Sequence, residues 1–439
     1  VRHVIERWNR DQVLALAPDA PSQKAAQGVS APGKWSGSGV TADAVWGECK
    51  GSGSKPYRAC VDLTEPAYKC TCPSRKFPCK HALGLLLLWS AGGVPDAAEP
   101  ADWAAEWLDQ RRARAARPAA SARTERSDPA PDPKRAGQRE QRVAAGLAEL
   151  ERWLADQVRQ GLAGARRHDQ WDGLVKRLVD AQAPGVAGTV SRLGSVLAAE
   201  DWPARLLGEY SLLHLLLAAH RRPAPQEGKP DALGAELRQT VRTRIGFPVA
   251  KEEVLAGETV RDRWDVLGRR DEEQDRLTTR RVWLRGRTTG RAALVLSFAP
   301  AGQALDASLV TGTTIDADLA FYPGSAPLRA LVAARHGAVS AGGPPGSSLE
   351  EALAEVAAAL AGDPWLDSWP LVLDRMVPMR DGGWLLGGPD GGLPLHPSAG
   401  VPWRLLAVSG GHPLTVAAEW TPRGLLPLAA WNEEGLIVL

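Results

Sequence analysis

Three of the chain's five cysteines fall within the run KCTCPSRKFPCKHALG, where they form Cys70-x-Cys72 and Cys79-x-His81. Three thiolates and an imidazole in two close pairs are a tetrahedral zinc donor set, with Zn–S at ~2.3 Å and Zn–N at ~2.0–2.1 Å. All four positions are filled by protein, leaving none for water or substrate, so the indicated metal is structural rather than catalytic. Pro73 and Pro78 bracket the segment between the pairs and stiffen it, which lowers the entropy lost on closing the site. A disulfide within Cys-x-Cys would be strained, so clustered thiols favour metal. Cys49 and Cys60 fall on two expected strand arms and read as half-buried strand residues, not ligands.

The elements that must position these four residues are legible around them. Residues 41–65 read as a β-hairpin, with arms TADAVWGEC and YRACVDL joined by the turn-forming KGSGSKP. A helix is expected from near Cys79 through HALGLLLLW to the Gly92-Gly93 stop. A short helix over His3 to Leu16 precedes the hairpin, and a helix ADWAAEWLDQRRARAA follows, ending at Pro118. A hairpin and one helix bury little core alone, so zinc would supply much of the module's stability.

Cys-x-Cys, a short spacer and Cys-x-His, placed after a hairpin and running into a helix, resemble the SWIM-type zinc finger family over roughly residues 40–90. The resemblance implies a ββα module and one structural zinc held by Cys70, Cys72, Cys79 and His81. It also implies that the module binds DNA or protein. The rest of the chain is similar to bacterial SWIM zinc finger proteins of unassigned role.

The whole chain reads as an α+β multidomain protein. Residues 1–116 form the N-terminal region that contains the finger. Residues 117–138 lack apolar bulk, are rich in Pro, Ala and charge, and read as a flexible linker. Residues 139–222 read as a helical domain. Val143, Leu147, Leu150, Leu154 and Val158 recur at helical spacing, as do Trp171, Leu174, Val175, Leu178 and Val179. Further helices are expected over Val186–Ala199 and over DWPARLLGEYSLLHLLLAAH. Residues 231–439 read as a mixed, strand-rich C-terminal region. It opens with the helix ALGAELRQTVRTRI, then has strands at RRVWLRG, AALVLSFAP and TTIDADLAFYPG. A helix at Ser347–Leu360 follows, then short strands at GWLLGG, WRLLAVS, LTVAAEW, GLLPLAAW and GLIVL.

The formal net charge of +2 over 439 residues excludes a generally basic nucleic-acid binder. The opening VRHVIERWNRD lacks an apolar signal core, and no apolar run reaches 18 residues, so a cytoplasmic location with no membrane partner is expected. Arginine is abundant and uninformative, but five of the 11 lysines fall in the 31 residues from Lys50 to Lys80. Residues 47–83 carry seven basic residues against three acidic ones. Lys55, Arg58, Lys69, Arg75, Lys76 and Lys80 are the candidate contacts to a nucleic acid or an acidic protein surface. Tyr57, Tyr68 and Phe77 stand among them and could stack on bases. The plainer account is a solvated surface that offsets the net −1 of zinc with three thiolates.

No GxxxxGK[ST], HExxH, GxSxG or strand-linked GxGxxG occurs. GVAGTVSRLG reads as a plain helix start. Asp271, Glu272, Glu273 and Asp275 read as an exposed turn, and His214 and His220 as core-edge or surface residues. Trp365, Trp369, Trp384, Trp403, Trp420 and Trp431 read as core anchors, although they could line a surface. The function expected is non-enzymatic: a zinc-binding protein whose finger is a protein-binding adaptor. The alternatives are DNA or RNA binding through the lysine-rich surface, and an unrecognised enzyme in residues 231–439.

Overall fold

The computed structural model describes residues 7–51, 53, 55–115, 133–166, 171–223, 233–274, 277–300, 303, 305–339 and 342–439. Two short helices, α1 (Arg10–Ala15) and α2 (Ala20–Gln27), start at the capping residues Asn9 and Asp19. The expected hairpin is present as β2 (Ala44–Cys49) and β3 (Tyr57–Asp62), with Cys49 opposite Tyr57 and Ala44 opposite Asp62. It is the centre of a four-stranded antiparallel sheet completed by β1 (Trp35–Val40) and β4 (Ala67–Cys70). The minimal hairpin-plus-helix expectation is therefore too small.

Helix α3 (Lys80–Ser90) lies on one face of this sheet, and α4 (Asp102–Ala115) covers the other through Ala104 and Trp107 beside Trp46 and Cys60. Both faces are thus dry, so Cys49 and Cys60 are fully buried rather than half-buried. Every residue of α3 from His81 to Trp89 is buried, because α1 and α2 pack on the side away from the sheet. That packing needs Gly84, where an added Cβ would sit 2.6 Å from Val29 Cγ2 and 3.2 Å from the Ala26 carbonyl oxygen.

Helix α5 runs over Pro133–Gln160, so the last six residues of the expected linker are helical; residues 117–132 of that segment lie outside the described residues. It packs with α6 (Asp172–Asp180), α7 (Pro184–Val196), α8 (Trp202–His220) and α9 (Ala235–Ile245) around Leu150, Leu174, Leu178, Leu193, Leu206, Leu217 and Ile245. The apolar stripe is narrower than the spacing suggests, since Val158 and Val179 face solvent. Helix α9, expected to open the C-terminal region, belongs to this bundle. Its Ile245 is in the bundle core, and at Gly185 a Cβ would strike the Arg244 carbonyl oxygen.

After α10 (Lys251–Ala256) come five strands: β5 (Thr259–Gln274), β6 (Leu277–Gly286), β7 (Ala292–Pro300), β8 (Thr314–Phe321) and β9 (Arg329–Val339). They close a barrel in the order β5-β6-β7-β9-β8, with β7 and β9 parallel and β5 paired to β8. This Greek-key order is that of an OB-type barrel. Trp264, Val266, Val282, Leu284, Ile315 and Leu319 fill its interior.

Helix α11 (Leu349–Gly362) leads into β10 (Trp369–Asp381), β11 (Gly383–Gly388) and β12 (Gly391–Pro394). Helix α12 (Trp403–Ser409), β13 (Leu414–Thr421), β14 (Gly424–Asn432) and β15 (Gly435–Val438) complete the chain in a six-stranded sheet ordered β12-β11-β10-β13-β14-β15. Trp283 and Leu294, on the outer face of β6 and β7, share one core with α11 and this sheet.

Two further segments depart from expectation. WRLLAVS is helix α12, not a strand, because Leu405 and Ser409 turn inward four residues apart. Asp271, Glu272 and Glu273 lie in β5 rather than in a turn, and Asp271 accepts two bonds from Arg280 across the strand pair, at 2.8 and 2.6 Å; Asp275 lies outside the described residues. Among the six C-terminal tryptophans, only Trp403 is strongly exposed, at 73%. Trp365 donates its indole N–H to the Leu212 carbonyl at 2.9 Å and joins α8 to the C-terminal half. Among the described residues no helix is long and apolar enough to cross a membrane.

Candidate metal centre

Cys70 is the last residue of β4 and pairs with Ala59 of β3. The chain leaves the sheet through Thr71 and Cys72 and returns at Cys79. Cys79 is the extended N-cap of α3, with φ −77° and ψ 164°. His81 therefore lies in the first helical turn, and the β-strand exit and the helix start supply one ligand pair each. Their four ligand atoms lie within 4.8 Å of one another, with Cys70 Sγ and His81 Nδ1 3.8 Å apart. A tetrahedron with bonds of ~2.3 Å has edges of ~3.8 Å, so the cluster is at zinc-binding size.

Its electrostatics suit a cation. The Cys70 thiol beside it, then the His81 ring and the Ala82 backbone N–H, push the Cys79 thiol down to about 4 against the opposing effect of burial. Cys70 is pushed up first by holding the proton it shares with Cys79 and then by burial, and Cys72 is pushed up by burial. Crowded thiols thus compete for protons where a zinc ion would offset two of the three thiolate charges. Backbone N–H groups of Cys72, Ser74 and Ala82 donate to the sulfurs of Cys70, Cys72 and Cys79, dispersing thiolate charge. The Tyr57 ring lies 4.7 Å from the His81 ring, tilted by 31°, and fixes the imidazole from the side. Cys49 and Cys60 are not in the cluster.

Residues 60–89 match the family model of the SWIM zinc finger. The chain carries a SWIM zinc finger. Residues 138–245 match the SWIM-associated four-helix bundle domain, a span that includes α9 and ends at Ile245. No curated protein and no solved structure shows significant similarity to the chain. Cys70, Cys72, Cys79 and His81 of the SWIM finger fit one structural zinc ion.

The candidate contacts divide into two groups on the finger. Arg58 is held by Glu48 at 2.9 Å and lies over the Trp103 ring, and Lys76 is held by Asp19 at 2.6 Å. Lys55, Lys69, Arg75 and Lys80 are exposed. Of the three aromatics, Tyr68 is buried and Tyr57 is stacked on His81, while Phe77 is 40% exposed with its ring edge-on to Tyr68. Sequence reasoning missed Lys34. It lies outside the basic window, and only strand pairing brings it to Lys50, whose backbone N–H donates to the Lys34 carbonyl at 2.9 Å. The charges of both Lys34 and Lys80 are felt at Cys49, the residue next to Lys50.

Proposed function

We propose that the protein is a non-enzymatic adaptor whose SWIM finger binds an acidic protein surface. The observation that carries this reading is the grouping of Lys34, Lys50 and Lys80 at the zinc end of the finger sheet. None of the three has an acidic partner among the described residues, whereas Arg58 and Lys76 are committed internally. Lysine ammonium groups on flexible stems suit an acidic protein surface with several carboxylates in varied geometry. The structural zinc holds this face rigid through β4 and the start of α3.

A second reading, DNA or RNA binding, draws on the same lysines, since phosphate contacts need only charge. The aromatic inventory favours protein. Tyr68 is buried, Tyr57 is used by His81, and the β6–β7 face on which OB-type barrels take single strands is packed against α11 and the C-terminal sheet. The test is a pull-down with the full chain beside a Lys34→Glu/Lys50→Glu/Lys80→Glu variant that retains zinc. A protein catch that resists nuclease and is lost in the variant supports the adaptor. A nuclease-sensitive catch with a steep salt dependence selects the second reading, and an unchanged catch overturns both.

A further inference from the structure

The SWIM finger is not a free module, because two chains of contact lead from its zinc knuckle, residues 73–78, to the barrel. The first passes through aromatic rings. Phe77, two residues before the ligand Cys79, sets its ring edge-on to Tyr68 with centroids 5.6 Å apart and planes at 86°. Tyr68 is buried, and its hydroxyl donates to the Ala307 carbonyl at 3.3 Å, in the segment between β7 and β8. Ala307 and Val310 belong to the finger's own hydrophobic core.

The second passes through the N-terminal helices. Lys76 of the knuckle binds Asp19, which caps α2 by accepting the Ser22 backbone N–H at 2.8 Å. Helix α1, joined to α2 by a short turn, then docks on the barrel and its flanking sheet. Gln12 donates to the Thr311 carbonyl at 2.9 Å, and Asn9 donates to the Leu436 carbonyl at 2.8 Å. Arg269 of β5 donates to the Ala15 carbonyl. The Nη1 of this arginine has no hydrogen-bond partner among the described residues, so α1 supplies much of what holds a desolvated guanidinium in place. Both routes begin in the loop that the Cys70–Cys72–Cys79–His81 site closes at its two ends.

We propose that zinc binding at the finger seats α1 and the barrel segment 305–313, so that the barrel responds to the metal state of a site it does not touch. A zinc-free knuckle lets Phe77 and Lys76 move. Tyr68 and α2 then lose their backing, and the contacts at Ala307, Thr311 and Arg269 loosen while the barrel strands stay paired. The finger and barrel are thereby a two-part device in which metal loss opens an internal interface.

Amide hydrogen exchange on the full chain tests this, with and without a zinc chelator and with Phe77→Ala as a variant that keeps all four ligands. Zinc removal is expected to speed exchange by at least about tenfold at residues 9–16 and 305–313, with the bundle at residues 138–245 unchanged. Phe77→Ala with zinc bound should speed exchange at 305–313 and leave 9–16 protected through Lys76 and Asp19. Faster exchange confined to residues 57–83 would overturn the proposal. So would a uniform rise that includes the bundle, which is plain unfolding.

Discussion

Lys76 Nζ lies 2.6 Å from Asp19 Oδ2 and ties the zinc knuckle to the first turn of α2. The pair is exposed, so its worth is small and falls with salt. It still leaves a clear mark on Asp19, whose carboxyl is held down at about 2, chiefly by Lys76 and then by the Ser22 hydroxyl and backbone N–H. A depressed carboxyl contributes stability that is fully present above its unfolded value of ~3.9. That contribution is lost as pH falls through about 2. Lys76→Met should therefore raise the Asp19 pKa toward the ordinary range, as followed by carbon-detected NMR titration. An unchanged Asp19 titration would mean that the contact is not populated in solution.

Removing one ligand should empty the metal site. In Cys72→Ser, zinc is expected to fall from one per chain to none, measured by atomic emission on dialysed protein. The finger should then become protease-sensitive, because the metal ties the end of β4 to the start of α3, while residues 138–245 remain resistant. Full zinc content in this variant would remove Cys72 from the ligand set.

Gly84→Ala tests how closely α2 packs on α3. The new methyl would meet Val29 Cγ2 at 2.6 Å and the Ala26 carbonyl oxygen at 3.2 Å. Valine is stiff at χ1 and the carbonyl is backbone, so the helices must separate, at a cost of about 1–3 kcal/mol. Chemical denaturation followed by tryptophan fluorescence reads that loss, with Trp8 and Trp89 of this core, edge-on 5.8 Å apart, among the chain's 17 tryptophans. A variant as stable as the parent would show that α2 is loosely held.

Arg244→Ala should loosen the bundle from the C-terminal half. Arg244 of α9 reaches Asp363, just after α11, at 2.6 Å, and that carboxylate is only 8% exposed. Loss of the guanidinium leaves a nearly buried carboxylate that, among the described residues, keeps a backbone N–H from Trp365 on Oδ1. The cost is about 2 kcal/mol. Differential scanning calorimetry should show a bundle transition separating from the main one, and an unsplit, unshifted transition would count against this contact as a tie.

The zinc ligands were legible in the sequence because a metal site of this kind is local. Cys70, Cys72, Cys79 and His81 span twelve residues, and spacing alone brings them within reach once a strand ends and a helix begins. Helices such as α3, α8 and α11 were legible for the same reason, since an i to i+4 contact lies within one segment. What only the tertiary structure decided involves partners far apart in the chain. Strand β5, whose acidic end reads as an exposed turn, is a strand because β6 pairs with its second half and β8, some fifty residues on, with its first. WRLLAVS has too few residues to show its period, and Leu405 found its place against a sheet built from elsewhere. Cys60 is dry because α4 returns to cover a face that the local pattern leaves open, and Cys49, on the opposite face, lies on the side covered by α3. Lysine spacing likewise gave a basic region but not its free members. Glu48 and Asp19 neutralise Arg58 and Lys76, and strand pairing gathers Lys34 with Lys50 near Lys80. Charge can be counted along a chain, but its neutralisation depends on which side chains the fold brings within 4 Å.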